Sequence, residues 1–147
     1  MRRTTDRSAA RVGITDKRQI ILATLGTLWL VLLLVFHWQA PAAFAWHVAA
    51  AFSVAMNFVY IQAAIARRQY VTVEAFVAVA LIVLSVMGAV VAPPFVIAAV
   101  IGHGLWDLAK HFGAGLPFFS WYTWGCFVVD VMYGSALFAY WVIGASG

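Results

Sequence analysis

From Gln19 to Ala66 the chain carries no Asp, Glu, Lys or Arg, a run of 48 residues. A helix of about 20 apolar residues crosses a hydrocarbon core of about 30 Å, so the run reads as two spans with Pro41 at the joint. Breaks of the same kind divide the remainder. Arg67 and Arg68 stop the second span, Pro93 and Pro94 suit the first turn of a helix rather than its interior, and Gly113, Gly115 and Pro117 form the last turn. The pattern predicts an all-α polytopic membrane bundle of five transmembrane helices, over about residues 20–38, 42–66, 71–91, 93–112 and 119–143. All four prolines fall at joints, a check that hydrophobicity alone does not supply.

Composition strengthens this reading. The chain of 147 residues is 65% hydrophobic and 10% charged, against about a quarter charged in soluble domains. Its net charge of +4 comes from few basic residues with no aromatic interleaving, which argues against nucleic acid as a partner. The single cysteine, Cys126, permits no intrachain disulfide. The partner in view is the lipid bilayer.

Basic residues set the orientation, because cytoplasmic loops collect Lys and Arg. Arg2, Arg3, Arg7, Arg11, Lys17 and Arg18 precede the first span. Five crossings put them on one side with Arg67, Arg68 and Lys110, so the N-terminus is expected inside and the C-terminus outside. Residues 1–18 lack apolar periodicity and read as a disordered basic cytoplasmic arm near anionic headgroups, leaving 19–147 as the transmembrane domain. Ala43 and Ala45 resemble a signal-peptide cleavage site, but the apolar run Ile20–Phe36 exceeds the usual signal length. A retained first span is the preferred reading.

Ionisable residues inside a span cost about 2.5–3.5 kcal/mol each on insertion scales, and the last two helices hold most of them. His103, Asp107 and His111 recur every four residues along one face; Tyr122, Cys126, Asp130 and Tyr133 form a stripe on the next helix. The short turn makes the helices antiparallel neighbours. Its register pairs His103 with Asp130, Asp107 with Cys126, and His111 with Tyr122 or Trp121. Elsewhere Glu74 is expected as an interfacial carboxylate near Arg67 and Arg68, and His37 and His47 as solvated residues at the outer turn. Ser53, Asn57 and Tyr60 make a mild polar stripe on the second span, whose ten alanines suggest a packing helix in the bundle interior. Trp29 and Trp106 are read as lipid-facing or packing side chains.

The run Gly102-His103-Gly104-Leu105-Trp106-Asp107, with His111, Trp121-Tyr122, Cys126 and Asp130, resembles a group of small uncharacterised bacterial integral membrane proteins. Their pattern is H-x-x-W-D-x-x-H-H, a short turn, then W-Y, a cysteine and an aspartate. The resemblance covers about residues 100–135, and Lys110 replaces the first histidine of the pair. It implies a multi-pass protein of the bacterial cytoplasmic membrane and the two stripes acting as one unit, with no activity to transfer.

Three roles suit the cluster. Two imidazoles and two carboxylates offer candidate ligands for Zn, Fe or Mn: His103, Asp107, His111 and Asp130, although one ion does not span all four. Cys126, Tyr122, Tyr133 and Glu74 would support such a metal or small-molecule site. A hydrogen-bonded cluster holding an accessory or structural subunit together is the second role. A proton-linked transporter or channel subunit is the third, and at this size it requires a homo-oligomer or a membrane-protein partner. No Ser-His-Asp set, phosphate loop or zincin motif is present, so enzymatic activity stays open.

Overall fold

The computed structural model describes residues 17–145, so the arm before Lys17 and the last two residues lie outside the described residues. Five helices follow one another: α1 (Lys17–Gln39), α2 (Ala42–Arg67), α3 (Val71–Val90), α4 (Pro94–His111) and α5 (Ser120–Ala145). Each coincides with an expected span to within about one turn. Among the described residues there is no strand.

Local chemistry accounts for the joints. At the end of α2, Arg68 and Tyr70 adopt left-handed backbone angles, φ 52° and 55°, and Gln69 N–H donates to Ala64 O to close the helix. Pro94 opens α4. Its far end closes on a Schellman-type pair, Ala114 N–H to Ala109 O and Gly113 N–H to Lys110 O. Gly115 carries a positive φ of 60° and has a second reason to be glycine: a Cβ there would stand 2.6 Å from Glu74 Oε1 and 2.9 Å from the Trp106 ring.

The helices close into a ring in which α4 packs on α3 and α5, α2 on α3, and α1 on α5 and α2. Leu30 and Leu33 of α1, Ala49 and Ala50 of α2, Val96, Ile97 and Val100 of α4, and Tyr133 and Leu137 of α5 form the apolar core. The outer faces are apolar as well, with Leu32, Phe76, Val83, Leu105 and Met132 about half exposed or more. Among the described residues, three helical segments are long and apolar enough to cross a membrane: Ala42–Arg67, Val71–Val90 and Ser120–Gly144. α1 contributes a shorter apolar stretch, Thr24–Gln39.

One expectation about α2 is corrected. It is not an interior helix; it buries a single stripe, Ala45, Ala49, Ser53, Asn57, Tyr60 and Ala64, while Phe44, Phe58 and Ile65 face outward. Small side chains allow close approach on one side, and the helical period sends the large ones to the other. The polar stripe of α2 is therefore its buried seam, where the Ser53 and Ser85 hydroxyls lie 2.8 Å apart across α2 and α3.

Candidate metal centre

Helical spacing brings His103 and Asp107 to one face of α4, one turn apart. α5 comes close enough to add Asp130 because residue 104 is glycine: a Cβ there would lie 2.9 Å from Asp130 Cβ. His103 Nδ1 stands 3.0 Å from Asp130 Oδ2 and 3.7 Å from Asp107 Oδ2. One ligand atom from each of the three residues falls within 4.8 Å of the others. They are only 5%, 0% and 3% exposed for His103, Asp107 and Asp130 respectively. The expected pairing of His103 with Asp130 is present.

Tyr60 completes the surroundings. Its hydroxyl donates a hydrogen bond to Asp107 Oδ1, and its ring stacks on the His103 imidazole at 5.9 Å between centroids. With Tyr60 on Oδ1, Asp107 Oδ2 is left buried with no hydrogen-bond partner, as is His103 Nε2. Two buried carboxylates against a single imidazole leave the cluster short of positive charge, a costly arrangement in a medium of low dielectric unless a cation or protons balance it. Ligand atoms around a tetrahedral ion with bonds of about 2.0–2.1 Å are separated by about 3.3 Å. The two separations from His103, 3.0 and 3.7 Å, bracket that edge, and the carboxylates lie within 4.8 Å of each other.

The remaining candidates sit elsewhere. His111 does not join the three; its Nδ1 lies 2.9 Å from Ser120 Oγ, and its ring tilts against Trp124 rather than Trp121 or Tyr122. It stands at the last position of α4, where the ring turns to the start of α5. Asp107 takes its hydrogen bond from Tyr60 on α2 rather than from Cys126, because a third helix crosses the seam that a two-helix register treats as closed. Cys126 and Tyr122 line a cavity of about 790 Å³ that His103, Asp130 and Tyr60 also border. Tyr133 turns away toward α1, its hydroxyl 3.3 Å from His37 Nε2. His37 is consequently buried, not solvated: Nδ1–H donates to Leu33 O at 2.7 Å, which leaves Nε2 to accept from Tyr133. His47 is exposed as expected.

Glu74 departs most from expectation. It is 1% exposed, and its partners are not Arg67 and Arg68 but the Lys110 ammonium, Trp106 Nε1–H at 3.1 Å and Leu116 N–H at 2.8 Å. Arg67 reaches Pro117 O instead. Lys110 also lies 4.4 Å from the centroid of the Tyr60 ring, a cation–π contact. Tyr60 and Lys110 are the two residues that sequence reasoning missed. Their signals were present: Tyr60 ends a polar stripe among alanines, and Lys110 continues the His103–Asp107 face by three residues.

Compared with protein-family models, curated proteins and solved structures, the chain matches none.

Proposed function

We propose that this chain is a five-span membrane protein of the bacterial cytoplasmic membrane, with its N-terminus inside, whose His103–Asp107–Asp130 centre binds a transition-metal ion, Zn, Fe or Mn. The observation that carries the reading is Asp107 Oδ2, buried without a hydrogen-bond partner and facing an imidazole and a second carboxylate at ligand spacing. Tyr60 would hold the other oxygen of Asp107, an outer partner of the kind that orients metal ligands. Three protein ligands leave a coordination position open, the arrangement of sites that act on a bound molecule rather than of closed structural ones. Localisation and the bacterial likeness belong to the same proposal, supported by the apolar outer faces and the basic residues grouped at alternate joints.

Metal analysis of the protein purified in mild detergent without chelator tests the centre. About one ion per chain is expected, lost in Asp107→Asn and Asp130→Asn and kept in His47→Ala. A metal-free wild type that takes up no added Zn, Fe or Mn would overturn it, leaving His103 and Asp130 as a hydrogen-bonded clasp between α4 and α5. Should that metal-free protein show pH-dependent flux in liposomes, the proton-relay role replaces both. A reporter fused after Gly147 tests the crossings, and cytoplasmic activity there would remove the five-span topology.

A further inference from the structure

We infer that metal ions enter and leave the centre at the α4–α5 turn, past a plug formed by Phe118 against Tyr60 and latched by Arg67. The inference rests on the proposed metal centre and concerns how that site exchanges its ion with water.

The centre is sealed. Asp107, His103 and Asp130 are all buried, so an ion reaches them only when some part of the protein moves. Depth selects the end at which that happens. Asp107 stands four residues before the end of α4 at His111, about 6 Å at 1.5 Å per residue. On α5, Asp130 stands 15 residues before the far end at Ala145, about 22 Å by the same rise. The groove between α1, α2 and α5 also borders His103 and Asp130, but its edges at Leu25, Trp29 and Trp124 lie on the apolar outer face. In the five-span topology those edges meet lipid, into which a divalent ion does not partition.

One stack stands between the centre and the turn. The Tyr60 ring lies against the His103 imidazole, and Phe118 meets that ring edge-on at 4.9 Å between centroids. Arg67, seven residues beyond Tyr60, shares its face of α2. Its guanidinium lies 5.7 Å from the Phe118 centroid and donates to Pro117 O at 3.0 Å. Arg67 is exposed and Phe118 partly so; the stack therefore runs from water to the ligands. Phe118 belongs to the turn, residues 112–119, and to neither helix, so its side chain can swing aside without unwinding α4 or α5. Lys110, 4.4 Å from the Tyr60 centroid, is neutralised by Glu74 and bars no cation.

The test is the rate of metal exchange in the purified full-length protein, with Zn as the probe, replaced by Mn or Fe if the protein takes only those. Uptake by metal-free protein and release to a chelator are followed by stopped flow. Phe118→Ala is expected to speed both by about tenfold, the rate equivalent of losing one aromatic pair. Affinity should stay within about twofold of wild type, because Phe118 touches none of the three ligands. Phe118→Trp should restore slow exchange. Arg67→Gln, at an exposed position, should speed both by about threefold, as loss of an exposed cation–π contact implies, and carries the test if Phe118→Ala does not fold. Faster release without faster uptake would make Phe118 a support for Tyr60 and overturn the plug, as would unchanged rates in both variants. Slower exchange in Gly125→Phe, which fills the groove where a Cβ meets nothing within 4 Å, would move the route there and overturn it too. A wild type that binds none of the three metals ends the metal reading and the inference together, whereas a loaded protein whose rates ignore Phe118 and Arg67 ends the inference alone.

Discussion

Two ionic clusters are buried on the same helix and differ in how they are closed. At the lower end of α4, Lys110 pairs with Glu74, whose other contacts are the Trp106 indole N–H and the Leu116 amide. That cluster is neutral and its donors and acceptors are matched. One turn higher, Asp107 and Asp130 share one imidazole, and two buried polar atoms have no partner. A closed ion pair ties α3, α4 and the last turn together; an open, charge-deficient one is where the proposed metal ion would bring the balance. Both lie within one face of α4, so burial alone does not separate a structural cluster from a binding one. Satisfaction of the individual atoms does.

The contrast breaks most visibly at Lys110. Lys110→Ala leaves the Glu74 carboxylate buried without its cation and is expected to cost about 3–5 kcal/mol of stability, read as a lowered unfolding midpoint in detergent. The double change Glu74→Gln with Lys110→Met should recover most of that loss. If the single variant is as stable as wild type, the closed cluster is not what holds α3 to α4.

A smaller effect of a different kind is expected at Tyr60. Tyr60→Phe keeps the stacked ring but removes the hydroxyl from Asp107, and should lower metal affinity by about 10–100-fold with less change in the unfolding midpoint than Lys110→Ala. Chelator competition measures it. Equal affinity in the two proteins would mean that Asp107 needs no positioning.

Asp130→Asn sharpens the comparison further. In the proposed centre it loses the metal, yet in metal-free protein the amide still pairs with His103, so stability should move by about 1 kcal/mol or less. A loss as large as that of Lys110→Ala would make the upper cluster a structural one. Smallest of all is His111→Ala, which removes a contact with Ser120 at the helix end; stability is expected within about 0.5 kcal/mol of wild type, with metal content unchanged. Metal loss there would reinstate His111 as a ligand.

What could be read from the chain alone was whatever repeats locally. The five helices were legible because a long apolar run must satisfy its backbone within itself, and the joints because proline and glycine act on their own neighbours. The His103–Asp130 pair was legible too, since a short turn leaves two antiparallel helices little choice of partner. Tertiary structure decided the rest. Glu74 lies 36 residues from Lys110, and Tyr60 lies 47 from Asp107; no period links such positions, so an interfacial carboxylate and a buried one look alike until α3 is set against α4. His37 looked solvated because it stands at a helix end, and became buried because Tyr133 reaches it from α5. Helical spacing determines which side chains share a face, while the packing of the other helices determines what that face meets.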